Sequence, residues 1–417
     1  MSPSTTERSY LKIGLVILTF FVISFFTNIL GALNPSVSES FGLNKTMISF
    51  LPFSFFIAYG VMSIPAGILV ERYQEKKILI AAFLICLLAT VLFSIYPVFG
   101  VFLPSLFLIG ASMAMLQVII NPLLRVSGGE EHYAFFSVMA QLAFGLASFM
   151  SPQLYTWVVT TVDNPNATGV LVQVISQITP DDIHWVALYS IFAVISLLMI
   201  IIISVIHFSK VELNEEEQIG SKREYVELFK SKTVRLFFLG IFAYVGAEQG
   251  ISYWMSKFLV DYHGVDFETT GASTVANYWG LMTIGGVIGL VLLKLFDSKW
   301  VLKISTGLTM IVYLLGLFGS EKMALYCLPA TGFFMSMMYP IIISLALNSI
   351  SKHHGAFAGI LMTGIMGGAV IQLLIGGLAD LFELQWALLI NLLLLAYIFF
   401  IGVWAQPIVK NKTILSN

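Results

Sequence analysis

A chain of 417 residues with 58% hydrophobic and only 11% charged residues, at a mean hydropathy of +0.91, has too little polar surface for a water-soluble globule. The formal charge of -2, from 21 basic and 23 acidic residues, offers no field for a nucleic-acid partner, and the two cysteines, Cys86 and Cys327, both lie in apolar runs. Soluble enzymes, nucleic-acid binders and disordered chains are excluded; a membrane protein remains.

A helix crosses a hydrocarbon layer of roughly 30 Å with about 20 apolar residues. Runs of that kind fall in chain order at 12–35, 47–71, 78–96, 98–123, 134–160 and 185–207, then at 234–260, 271–295, 300–319, 323–349, 356–379 and 385–406. These are spans 1 to 12. No barrel-like alternation of polarity occurs. The first run is too long for a secretory leader and is followed by no small-residue cleavage site, so it reads as a retained span.

Basic residues set the orientation. With both termini cytoplasmic, only Lys45, Lys257 and Lys322 of the 21 Lys and Arg fall on the outer side. The longest inner hydrophilic stretch, near 208–233, separates spans 6 and 7, and its part from Glu224 to Arg235 has the pattern of a basic amphipathic helix on the inner leaflet. The organisation is therefore an N-terminal bundle over 1–208, a linker with a surface helix over 209–233, and a C-terminal bundle over 234–417. The outer loop near 161–183, with Pro165 and Pro180, carries no recognisable site.

The halves repeat at an offset of about 220 residues. GILVERYQEKKIL, from Gly67 to Leu79, matches GLVLLKLFDSKWVL, from Gly289 to Leu302, and Pro122 of span 4 matches Pro340 of span 10. AFGLASF of span 5 answers GIMGGAV of span 11. Parallel repeats about an axis along the membrane normal mark major facilitator transporters, whose substrate binds near the midplane between halves. The fold class is then all-α: twelve transmembrane helices in two six-helix bundles related by a pseudo-twofold axis. The loop after span 2 resembles the facilitator signature, with Glu71 in place of its aspartate and Gln74 in place of its glycine. Glu71 and Arg72 are candidate gating residues; the alternative is that positive-inside placement alone put the bases there.

A charge at membrane depth costs several kcal/mol, about 2.5–3.5 on translocon scales, and needs a reason. Glu248 is the one acid placed mid-span, in span 7. It is the candidate for coupling and for accepting substrate hydroxyls; the plain reading is a protonated group bonded to a neighbouring helix. Uncharged amides recur in corresponding spans: Asn28, Gln117, Asn121 and Gln141 in the first half, Gln249, Asn277 and Gln372 in the second. Gln117 and Asn121 are four apart and share a helix face. Amides donate and accept together, which suits a hydroxyl-rich substrate, although interhelical bonding competes as an explanation. Tyr278 and Trp279 of span 8 offer rings that stack on sugar faces. No nucleophile–base pair or metal cluster points to an enzyme.

At these residues a resemblance becomes specific. FAYVGAEQGISYW (Phe242 to Trp254), NYWGLMTIGG (Asn277 to Gly286), MYPIIISLAL (Met338 to Leu347) and GAFAGILMTGIMGGAVIQLLIGGLAD (Gly355 to Asp380) are similar to the span 7, 8, 10 and 11 motifs of the fucose–galactose–glucose:proton symporter family. Asn121-Pro122, Ala140-Gln141 and Asn28 match the family in the first half. The resemblance implies a major facilitator fold and uptake of a hexose or deoxyhexose coupled to an ion. It also shows departures. Gly31 stands where proton-coupled members carry a span 1 aspartate, Gln117 replaces a span 4 acid, Gly286 a span 8 arginine, and Gln372 a span 11 proline. Three readings follow: Glu248 alone couples to H⁺, Na⁺ held by amides and carbonyls replaces H⁺, or transport is uncoupled. A same-fold carrier of a non-sugar small organic solute, uncoupled or exporting, is the alternative function. The expected setting is a monomer in a bacterial inner (plasma) membrane, with the bilayer and a small-molecule substrate as partners, no nucleic acid, and no cofactor beyond the coupling ion.

Overall fold

The computed structural model describes residues 10–128, 132–162, 183–206 and 222–408. Among them twelve helices are long and apolar enough to cross a membrane. Spans 1 to 6 are Tyr10–Phe41, Lys45–Val70, Glu75–Ile95, Phe99–Gly128, Phe135–Thr161 and His184–Val205. Spans 7 to 12 are Lys232–His263, Phe267–Leu295, Ser298–Phe318, Glu321–Leu347, His354–Phe382 and Leu384–Trp404. All twelve agree with the hydrophobic runs; most of the outer loop near 161–183 and the linker residues 207–221 lie outside the described residues.

Spans 1, 4 and 7 are the most enclosed, as expected of helices wrapped by their own half and facing the other. Span 1 is not one continuous helix. It breaks between Tyr10–Thr27 and Leu30–Phe41, beside Asn28. Span 10 breaks likewise at Ser336-Met337, where Pro340 has no N–H to give the Ser336 carbonyl. Such interruptions at membrane depth are tolerated where backbone lines a cavity or packs in protein.

The repeat read from the sequence is visible in matching caps. Lys76, in the first turn of span 3, donates its ammonium to the carbonyls of Ser204 and Ile206 at 2.8 Å each, at the end of span 6. Lys299, in the first turn of span 9, does the same for Ala405 at 2.6 Å and Val403 at 3.5 Å, at the end of span 12. A cation on the last carbonyls of a helix satisfies orphan acceptors and complements the dipole. Gln74, at the position of the signature's glycine, has φ 72 and ψ 149, a region that suits glycine and strains other residues.

The surface helix before span 7 runs from Lys222 to Lys230, shorter than the amphipathic stretch read from Glu224 to Arg235. Ser231 is extended and restarts the chain as span 7. Tyr225 and Leu228 pack on the core, while Val226 and Phe229 remain exposed.

The two halves do not meet evenly. Span 7 packs on the Leu30–Phe41 part of span 1 and not appreciably on Tyr10–Thr27, and spans 4 and 10 stay apart. Hydrogen bonds between halves lie toward the face opposite the lysine-rich loops. Asn34 donates to the Tyr253 carbonyl at 3.1 Å, Tyr253 O–H to the Ile48 carbonyl at 2.7 Å, and Thr156 O–H to the Glu268 carbonyl at 2.6 Å. The hydrogen bonds between halves thus gather on one face, which they seal, while toward the basic face span 7 and the first part of span 1 do not pack together.

Candidate functional site

Glu248 sits on the side of span 7 opposite the exposed Leu239, because nine residues turn a helix by two and a half turns. That side faces the other half. Its side chain is partly exposed, although Tyr244 and Gln249 beside it are buried. Tyr244, one turn earlier, donates its O–H to Glu248 Oε1 at 2.6 Å, and Gln249 adds a polar contact to the carboxylate. Hydrogen bonds to an ionised acceptor are about twice as strong as neutral ones, so this tyrosine fixes the rotamer of the acid.

Two further hydroxyls come within electrostatic reach of Glu248, those of Tyr278 in span 8 and Tyr339 in span 10. The rings of Tyr244 and Tyr339 are 5.6 Å apart, and Tyr339 in turn approaches Tyr59 of span 2. One carboxylate bonded to Tyr244, with the partly exposed Tyr339 nearby, can accept hydroxyl protons and hold a proton of its own.

The amides divide by environment. Gln117 is partly exposed on the side of span 4 opposite the outward-turned Leu108. Gln141 is exposed on the face of span 5 shared with Phe144 and Ser148, which turns toward span 1. Asn28 is instead consumed in packing: its amide donates to Ser148 Oγ at 2.8 Å and Ser24 Oγ at 3.2 Å, tying spans 1 and 5 beside the break. Gln372 is fully buried, accepting from Trp254 Nε1 at 2.8 Å and donating to the Gly246 carbonyl at 3.4 Å. Both are interhelical bonds within one half, worth on average about 0.6 kcal/mol in a membrane.

Span 8 presents two opposite faces. Tyr278 and Trp279 are buried, with Tyr278 O–H on Met335 Sδ at 3.7 Å and Trp279 Nε1 lacking any hydrogen-bond partner. Asn277 is exposed on the same side as Ile284, Ile288 and Val291, an apolar outward face, so the structure does not bring it to the site around Glu248. The side chains of Asn121 and Glu71 lie outside those described. Arg72 is exposed and rests its guanidinium 5.3 Å from the centre of the Tyr73 ring.

With this geometry in hand, comparison with known proteins is decisive for the family. The family model of the Major Facilitator Superfamily matches residues 15–298. The chain belongs to the major facilitator superfamily. Within that superfamily it is 29% identical over 411 residues to a glucose/galactose transporter of Brucella abortus, covering 96% of this chain and 97% of the relative. It is 25% identical over 397 residues to the L-fucose-proton symporter of Escherichia coli K12, covering 90% and 88%. The crystal structure of the E. coli fucose:proton symporter superposes with a TM-score of 0.68 at 23% identity, over 96% of this chain and 100% of that one. A bacterial homologue of the lysosomal transporter Spinster, inward-facing and unoccupied, superposes at 0.76 with 14% identity, over 96% and 98%. The twelve-span superfamily fold is thereby shown, and the protein is a multi-pass membrane protein of a transporter superfamily.

Sequence reasoning reached Glu248 and Tyr278 and missed Tyr244 and Tyr339. Tyr244 lies four residues before Glu248 and therefore on the same helix face, a signal that was present. Tyr339 was marked by the following Pro340.

Proposed function

We propose that this chain imports a monosaccharide, a hexose or deoxyhexose, together with a proton, by alternating access across a plasma membrane, and that Glu248 carries the proton. The observation that supports this most is Glu248 itself: a partly exposed carboxylate at membrane depth, held by Tyr244 at 2.6 Å. The names of the relatives, sugar transporters and a sugar–proton symporter, support the substrate class.

In this reading the lysine-rich face is cytoplasmic, as the positive-inside rule favours, both termini lie inside, and the protein works as a monomer. The halves are then parted on the inner side. Gln117 and Gln141 bind sugar hydroxyls from the first half, opposite Glu248 of the second. A proton taken up outside neutralises Glu248 for the occluded step, when an ionised carboxyl at membrane depth costs about 2.5–3.5 kcal/mol. Opening inward hydrates the carboxyl again and releases proton and sugar to the same side. Asn28 and Gln372 act on the shape of the site through the spans they join.

Proteoliposomes holding the purified protein test this directly. Radiolabelled D-glucose, D-galactose and L-fucose are offered under an inward proton gradient or an inward Na⁺ gradient. Accumulation of at least one sugar under the proton gradient, collapsed by a protonophore, is expected; accumulation of none under either gradient defeats the reading.

A further inference from the structure

Besides the bonds already described, the sealed face carries two unlike devices. At the rim, Asp380, at the end of span 11, caps the N-terminus of span 2. Its carboxylate accepts from Lys45 N at 3.0 Å, Thr46 N at 2.9 Å and Thr46 Oγ1 at 2.6 Å. These are charge-assisted bonds to the orphan donors of a helix start, supplied by the opposite half of the molecule. Deeper in, span 1 lies directly on the backbone of span 7. A Cβ placed on Gly31 would stand 2.5 Å from the Ser252 carbonyl oxygen and 3.4 Å from the Tyr253 Cα, so no side chain fits there while the seam is shut.

Both contacts are specific to this closure. The carboxylate belongs to one half and the donors to the other, so any separation of spans 2 and 11 at the rim breaks all three bonds at once. Asn34, one turn beyond Gly31, gives its amide to Tyr253 but leaves its buried Oδ1 without a partner, a deficit that parting the seam would relieve by hydration. Ser252, whose carbonyl meets Gly31, donates its O–H to the Glu248 carbonyl at 2.9 Å. The seam is thus one helical turn from the candidate coupling acid.

We propose that Asp380 and Gly31 form a state-selective latch that sets the balance between the state sealed at this face and its opposite: Asp380 by capping span 2, Gly31 by admitting span 7 to backbone contact. The latch acts on access alone and does not depend on which solute or ion is carried.

The test uses the full chain in lipid nanodiscs, with Cys86 and Cys327 replaced by alanine and spin labels attached through Lys77→Cys and Lys352→Cys on the exposed basic face. Double electron–electron resonance then reads the separation of the halves. Asp380→Ala and Gly31→Ala are each expected to raise the ratio of short to long distances by roughly fivefold or more, the scale of losing a charge-assisted bond, while Asp380→Glu stays near the parent. A Ser49→Cys reporter, buried at the same seam, is expected to react faster with an impermeant thiol reagent in Asp380→Ala. Should Gly31→Ala fail to fold, the rim variant Asp380→Ala decides alone. An unchanged distance ratio and an unchanged thiol reactivity in folded Asp380→Ala protein overturn the proposal.

Discussion

The two six-span halves share a scaffold and differ in what they place inside it. Lys76 closes the end of span 6 as Lys299 closes the end of span 12. Yet among the described residues the mid-span carboxylate lies in the second half, where Glu248 accepts from Tyr244 and has Tyr278 and Tyr339 within electrostatic reach. The first half answers with neutral amides, Gln117 and Gln141, and with the knot of Asn28, Ser24 and Ser148. The difference teaches that a duplicated frame leaves each half free to specialise: one half offers hydrogen bonds that do not titrate, the other a group that can.

The sharpest way to break that comparison is to remove the charge. Glu248→Gln keeps volume and hydrogen bonding, and gradient-driven sugar uptake is expected to fall by about two orders of magnitude with an unchanged melting curve. Uptake equal to the parent at every pH and salt condition would return Glu248 to a packing role. Tyr244→Phe tests the support rather than the acid. Loss of one bond to an ionised group is worth about 1.5–3 kcal/mol, so a roughly tenfold drop in uptake rate is expected, with sugar affinity measured by calorimetry largely kept.

The first half is probed by Gln117→Ala and Gln141→Ala. Each is expected to raise the KM for sugar about fivefold, the cost of a neutral hydrogen bond, without changing the dependence on the proton gradient. A changed proton dependence would move coupling into the first half and erase the asymmetry. The shared scaffold is probed by Lys76→Met and Lys299→Met. If the caps are equivalent, each lowers stability by about 1 kcal/mol in thermal melts, and similarly in both. The smallest effect is expected for Gln74→Gly, which relieves a positive-φ strain of about 1 kcal/mol and is read as a slight rise in melting temperature.

The frame was legible because it is written in hydrophobicity and charge, which act locally: twelve apolar runs, lysines on one side, and a repeated turn all survive into the structure. Glu248 was legible because an acid at membrane depth is conspicuous. Its surroundings were less so, since tyrosines are common in apolar helices and only tertiary packing brings Tyr339 near it. Amides proved ambiguous for the same reason. Asn28 and Gln117 look alike in the sequence, but one is buried in bonds to span 5 and the other is partly exposed. Asn277 precedes the aromatic pair of span 8, and its neighbours in sequence gave no sign that it points the opposite way. The breaks in spans 1 and 10 also escaped hydropathy, which registers length and not continuity.

The claim that the second half carries the coupling through one carboxyl is tested most directly by proton flux. Sugar added to proteoliposomes in weakly buffered medium is expected to make the medium alkaline with the parent protein. With Glu248→Gln it is expected to leave the pH unchanged, while labelled sugar still exchanges for unlabelled sugar across the membrane. A Glu248→Gln protein that continues to take up protons with sugar would contradict the account.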